Sequence, residues 1–352
     1  MSVHMRFLSL VLAGLLGCSG ALFAAQSELP SAPQALAEAL LRKHPFVDSV
    51  LFAQQGQLQV ELYRNERLRD RAHPLRSAGK SLISIALGVA LGPKRLGFTQ
   101  LTVNEVYHRA GWMPAPDAKS PSSQITFHHV LTMTSGITCE IDRGGTDTCD
   151  PRTAKSRFPW REYLRKPLEA EPGTQFSYTD AAPTVIRPLI YALTRKQAED
   201  ILEEQVFKPL NFSAKAGIGE MTSRDMLKIG QLMLQNGCWD GVQRIPVDWV
   251  KLSTFPHHLF NELKNRGGYG YFWWWRKLEV AGQDVEFYYA AGNGGQLIFI
   301  IPHFEAVLVT TGHAYDNMSS LRALIQSVQH DILPNFAKPL TTKANTCGKL
   351  LM

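Results

Sequence analysis

Past residue 25 the chain has no apolar run approaching the length a bilayer span requires. It has no block of like charge either. The formal net charge of +6 is spread along the chain. That is a solvated surface, whereas a nucleic-acid footprint needs a basic stripe with interleaved aromatics. There is no His-Glu-x-x-His, and the spacing of the five cysteines does not suit zinc. Ser135, in Thr134-Ser135-Gly136, lacks a Gly-x-Ser-x-Gly elbow, and no histidine stands in an evident triad. Internal repeats and low-complexity segments are missing. What is present is ordinary globular composition: 352 residues, 45% hydrophobic and 19% charged, ample for a large core in one or two domains.

Residues 1–25 read as an export signal, with His4 and Arg6 ahead of the apolar run Phe7 to Gly17. Two processing routes compete. Leu15-Leu16-Gly17-Cys18 resembles a bacterial lipobox, which would anchor the product to a membrane through a lipidated Cys18. Leu22-Phe23-Ala24-Ala25 is an alternative simple cleavage site. The reading favours a periplasmic or secreted product. Without Cys18 four cysteines remain, an even number that suits an oxidising compartment. Cys139 and Cys149 flank a polar loop with Gly144-Gly145 and are expected to pair. Cys238 with Cys347 would pin the C-terminal tail.

Patterning predicts a helix over Pro33–Lys43 and a hairpin from Val47–Ala53 and Leu58–Tyr63, with Leu58, Val60 and Leu62 on one face. Further helices are expected at Phe127–Met133, Ala181–Leu193 (kinked or shortened by Pro188), Gln197–Val206 and Ser223–Gln235. Strands follow at Tyr269–Arg276, Val285–Ala290, Gln296–Ile301 and Ala306–Thr311, then a closing helix over Asn317–Leu333. Tight turns join these strands without crossover helices, so they should be antiparallel. The expected class is α+β: an antiparallel sheet flanked by helices, with an inserted, mainly helical domain. Residues 26–95 and 266–335 would form the α/β domain, 96–265 the helical one and 336–352 a tail.

Ser77 and Lys80 carry the chemistry. In Arg76-Ser77-Ala78-Gly79-Lys80 they stand one turn apart at the start of an apolar helix, so a hydroxyl and an amine share a face. An amine that loses its charge can activate the hydroxyl, and the helix N-terminus favours a developing oxyanion. Alone, one Ser-x-x-Lys is about what chance supplies in a chain of this length. Tyr178, in Phe176-Ser177-Tyr178-Thr179-Asp180 after a Pro-Gly turn, is the best-placed tyrosine to relay a proton. Its ordinary alternative is a half-buried tyrosine bonded to backbone. Ala291-Gly292-Asn293-Gly294-Gly295-Gln296 precedes a strongly apolar strand. Its glycines permit close backbone approach to a ligand, or simply make a hairpin turn. A phosphate loop would need a helix there.

In this order the three elements resemble the serine β-lactamase-like hydrolase superfamily. They are most similar to the branch of class C β-lactamases, D-alanyl-D-alanine carboxypeptidases, family VIII esterases and 6-aminohexanoate-dimer hydrolases. The resemblance runs from about residue 47 to 332 and includes His129 to Gly136, Phe207-Lys208-Pro209-Leu210 and Tyr269 to Trp274. It implies that Ser77 is the acylated nucleophile, Lys80 its base and Tyr178 the proton relay. Asn293, Gly294 and Gly295 would fill the third motif, whose neighbourhood completes an oxyanion hole with the N–H of Ser77. Asp180 stands where asparagine is usual, and the third motif has no lysine. Both departures point away from β-lactams. The implied function is an exported serine hydrolase acting on an ester, amide or short peptide-like substrate, with no cofactor and no nucleic-acid partner. β-Lactamase or D-alanyl-D-alanine carboxypeptidase activity is the alternative. The non-enzymatic alternative is a penicillin- or peptidoglycan-sensing module that acylates without turnover.

Overall fold

A computed structural model describes residues 32–113, 121–139, 148–155, 157–213, 216–336 and 347–352. The expected leader at 1–25, with Cys18, and Gly144-Gly145 lie outside the described residues. Eight strands form one antiparallel sheet: β1 (Val47–Gln54), β2 (Gln57–Tyr63), β3 (His258–Leu259), β4 (Gly267–Tyr269), β5 (Trp274–Val280), β6 (Gln283–Gly292), β7 (Gln296–Ile301) and β8 (Ala306–Gly312). Their spatial order is β2-β1-β8-β7-β6-β5-β4-β3. Pairing of β1 with β8, as at Leu51 with Val309, joins the two ends of the sequence into one sheet.

The sheet is covered on both faces. From β7, Leu297, Phe299 and Ile301 pack with Ala37 and Leu40 of α1 (Ala32–Lys43) and with Leu321 and Leu324 of α5 (Met318–Ser327). Ile298 and Ile300 point the other way, into the larger core, with α2 (Gly79–Leu91) and α4 (Ser223–Leu234). Each buried Leu, Ile or Phe contributes roughly 1.5–3 kcal/mol, so this strand is apolar on both sides rather than alternating. Gly230 lets α4 close on the sheet: a Cβ there would lie 2.3 Å from Val307. Most remaining helices come from the segment between β2 and β3, including α3 (Ala182–Thr194), which packs on α2. In α2 only Val89 and Ala90 escape full burial.

Several expectations shift in detail. The β1–β2 register slips between Phe52 and Ala53. This bulge leaves Val60 and Leu62 on the α1 face and turns Leu58 towards the larger core. The single strand expected over Tyr269–Arg276 is two, β4 and β5. Between them Gly270 donates to the Trp273 carbonyl at 2.8 Å, and Phe272 takes a φ of +64°. α3 runs through Pro188 to Thr194 without shortening, because Val185, Ile186, Leu189 and Ile190 on either side of the proline are locked in the core. The expected Gln197–Val206 and Asn317–Leu333 helices both widen into π turns, at Glu203–Phe207 and Val328–Ile332. The expected disulfide Cys139–Cys149 is formed, and Cys238 is bonded to Cys347, a pairing that the sequence leaves open.

Six histidines titrate below their ordinary value: His44, His73, His128, His129, His257 and His258, each mainly because burial disfavours the cation. His128 is lowered furthest, to about 4, with the charges of His257 and His129 adding to burial. It shares a 2.8 Å hydrogen bond with the Tyr271 hydroxyl. A histidine depressed in the fold adds stability above its unfolded pKa, and that stability is lost as pH falls through the folded value. The thermal midpoint should therefore decline steadily from about pH 6.5 towards pH 4. His128→Gln should flatten that decline in a melting series against pH, and an equally steep decline in the variant would count against this account.

Candidate active site

Ser77 lies in a 3-10 turn, Arg76–Ala78, that feeds directly into α2. The turn is held from two sides. His73–Pro74 pairs with Glu220–Met221, and Leu75 donates to the Gly219 carbonyl at 2.8 Å. Gly292, at the end of β6, packs so closely that a Cβ there would sit 2.1 Å from the Leu75 carbonyl oxygen. The absent side chain is what lets the sheet edge reach the nucleophile segment.

Lys80 Nζ donates to Ser77 Oγ at 3.1 Å. The lysine is buried, with 7% of its side chain exposed, and it forms an ion pair with Asp180, whose side chain is 37% exposed. Its ammonium also lies 4.7 Å from the centre of the Tyr178 ring. Burial pushes the lysine towards losing its proton. The Tyr178 hydroxyl and the Asp180 carboxylate outweigh burial and hold it above the ordinary lysine value. In the resting site the expected base is thus a cation that must first release a proton.

Tyr178 arrives from a segment laid along Met133–Cys139. Gly173 donates to Thr134 O at 2.7 Å, Ser177 to Met133 O at 2.8 Å, and Cys139 N to Ser177 Oγ at 2.8 Å. The Cys139–Cys149 disulfide anchors the far side of that pairing. The Tyr178 ring stacks on Trp274 at 5.6 Å and meets Tyr269 edge-on at 6.2 Å. Phe176, Phe260 and Tyr269 extend this aromatic wall. Of the three consecutive tryptophans, Trp273 is fully buried in the core and Trp274 borders the site.

Asn293-Gly294-Gly295 is the hairpin turn between β6 and β7, closed by the pairing of Gly292 with Gln296. Gly294 and Gly295 have φ of +112° and +105°. The Asn293 amide is engaged with Asp316: Nδ2 donates to its carboxylate at 3.0 Å, and Oδ1 accepts from its N–H at 2.8 Å. Gln296 is fully buried, and its Nε2 donates to Gly312 O at 2.9 Å and to the Tyr315 hydroxyl at 3.4 Å. Asn293 and Gln296 therefore shape the turn with their side chains. β6 and β7 both pack on the Arg76–Ala78 turn, which sets the hairpin beside Ser77.

Ser135 is buried and bonded to the Tyr163 hydroxyl at 2.6 Å. Sequence reasoning missed a buried carboxylate, Asp48, that bonds His313 Nδ1 at 2.9 Å and lies 3.7 Å from His73 Nδ1. It also missed Arg76, whose guanidinium lies 5.1 Å from the centre of the Tyr315 ring. The one available signal was the position of Arg76, immediately before Ser77. Among the described residues no three His, Cys, Asp or Glu side chains converge as metal ligands, and no helix is long and apolar enough to cross a membrane.

Residues 47–216 match the family model described as Beta-lactamase. No curated protein matches the chain by sequence. Solved structures do match by fold. A protein described as a 6-aminohexanoate-dimer hydrolase from Bacillus anthracis has 18% identity and a TM-score of 0.60, over 84% of this chain and 81% of its own. A D-stereospecific amidohydrolase from Streptomyces sp. has 14% identity and a TM-score of 0.61, over 86% and 98%. A penicillin binding protein from Bacillus halodurans has 15% identity and a TM-score of 0.60, over 83% and 99%.

Proposed function

We propose that the chain, which shares its fold with β-lactamase-like proteins and matches the Beta-lactamase family model over residues 47–216, is a member of the serine β-lactamase-like superfamily and an exported serine hydrolase that opens an ester or unstrained amide through an acyl-enzyme on Ser77. The observation that carries this reading is the Lys80 Nζ to Ser77 Oγ hydrogen bond of 3.1 Å, with the Tyr178 ring against the same nitrogen. In the proposed step the neutral Lys80 amine takes the Ser77 hydroxyl proton as Oγ bonds the substrate carbonyl carbon. Tyr178 passes a proton to the departing alcohol or amine as the scissile bond breaks. Water then releases the acid and restores Ser77. The N–H of Ser77 and the hairpin at Asn293–Gly295 would hold the oxyanion.

Asp180 and the Gly294-Gly295 turn favour esters or amides over β-lactams, because no lysine is carried on β7's leading turn. The Tyr178–Trp274 aromatic wall offers an apolar surface to the part of the substrate beside the scissile bond. Two disulfides are in keeping with export. The leader implies the periplasm or the medium, or a membrane if Cys18 is lipidated.

The test is fluorophosphonate labelling of the mature protein with Ser77→Ala as control, followed by p-nitrophenyl esters, nitrocefin, D-alanyl-D-alanine peptides and aminohexanoate dimers. Labelling of the wild type alone, with ester or amide turnover, is expected. An unlabelled wild type removes the nucleophile assignment. Labelling without turnover of any substrate supports a sensor, and nitrocefin hydrolysed faster than esters reverses the substrate order.

A further inference from the structure

The geometry points to Arg76 as an anchor for a carboxylate, so that the preferred substrates carry an anionic group close to the bond that Ser77 attacks. This deepens the acyl-enzyme reading and rests on it. Arg76 is exposed, adjoins the nucleophile in sequence, and has no carboxylate within 4 Å among the described residues. Nearby acids are already engaged: Asp180 with Lys80, Asp150 with Arg152, and Asp316 with Asn293. A guanidinium offers five donors in a rigid plane, and among the described residues its recorded contact is with the Tyr315 ring.

Its placement is built. One face of the guanidinium lies over the Tyr315 ring at 5.1 Å. Tyr315 is fixed in turn by the buried Gln296, through the 3.4 Å bond to its hydroxyl, and by Gly294, where a Cβ would come within 2.6 Å of the ring. A guanidinium held over a ring can still present paired N–H groups, which grip a carboxylate in bidentate fashion. The backbone of Arg76 is left-handed, with φ of +51°. That conformation is uncomfortable for a long side chain and natural for asparagine or glycine. A strained arginine beside a nucleophile, with no ion pair among the described residues, fits a ligand-binding role better than a stabilising one.

The experiment compares mono-p-nitrophenyl adipate with p-nitrophenyl hexanoate, an anionic and a neutral ester of equal acyl length. The wild type should favour the adipate in kcat/KM. In Arg76→Asn that preference should fall by about tenfold or more, mainly through KM, and Arg76→Lys should restore part of it. The thermal midpoint of Arg76→Asn should hold or rise, since asparagine suits the backbone, which separates a lost anchor from a damaged fold. If neither ester turns over, protection of Ser77 from fluorophosphonate by adipate gives the same reading, strong in the wild type and weak in Arg76→Asn. A labelled Ser77 with a preference or protection indifferent to Arg76 removes this inference alone. An unlabelled Ser77 removes the acylation reading and this inference together.

Discussion

Replacing Lys80 by alanine should slow acylation of Ser77 by about three orders of magnitude, in the upper range for loss of a general base. The alanine variant leaves Ser77 and the helix N-terminus in place, so binding of a slow substrate should persist while labelling all but stops. The harder part of the argument concerns charge. Asp180 and Tyr178 keep the Lys80 ammonium above its ordinary value in spite of burial. A base must be neutral before it can accept a proton, so activity should rise with pH along a limb governed by that ammonium. Asp180→Asn removes one cause of the upward shift while keeping a hydrogen-bonding group of similar size. The lysine should then give up its proton at lower pH, and the rising limb of kcat/KM should move in the acid direction. A pH–rate series on both proteins measures this. A limb that stays put, or moves to higher pH, would show that Lys80 is not the group that must deprotonate.

Gly292→Ala should cost about 3 kcal/mol of stability, at the upper end for forced overpacking, and should cut the labelling rate about a hundredfold. The new methyl carbon would begin 2.1 Å from the carbonyl oxygen of Leu75. Backbone cannot rotate out of the way as a flexible side chain can. Either the hairpin at Asn293–Gly295 or the turn carrying Ser77 must retreat, and each movement separates nucleophile from oxyanion donors. A displacement near 1 Å is enough for a loss of that size. Thermal melting and timed fluorophosphonate labelling test the two parts separately. Unchanged values in both would mean that the hairpin and the nucleophile segment are not coupled here.

The local half of this site was legible. Ser77 and Lys80 are three residues apart at a helix start, a relation set by helical geometry. The glycines at 292, 294 and 295 announced a close approach, although not that Leu75 was what they approach. The remote half was legible only as a set of resemblances. Tyr178 and Asp180 lie about a hundred residues along the chain from Lys80, and nothing in their own neighbourhood reveals that the ammonium Asp180 attracts is the protein's own. The same limit hid the Asp48–His313 bond, made across 265 positions, and the seat of Arg76 on Tyr315. In the fold, apolar runs identified β6 to β8, while the bulge opposite Leu58 and the turn at Phe272 were invisible. The turn is imposed by what packs against it: Phe272 donates to Leu131 O, and its own carbonyl accepts from Ser81.

The Cys238–Cys347 bond ties the last described segment back to a point 109 residues earlier. That segment reaches the first hairpin, where Leu351 donates to Gly56 O and accepts from Leu58 N. The stretch between the two cysteines contains β3 to β8 and α5, and therefore most of the sheet. It is a covalently closed ring. A protease that cuts once anywhere within it leaves both pieces linked through the disulfide, able to stay associated by strand pairing. Such a ring resists separation after a single cut, a property distinct from any gain in folding free energy.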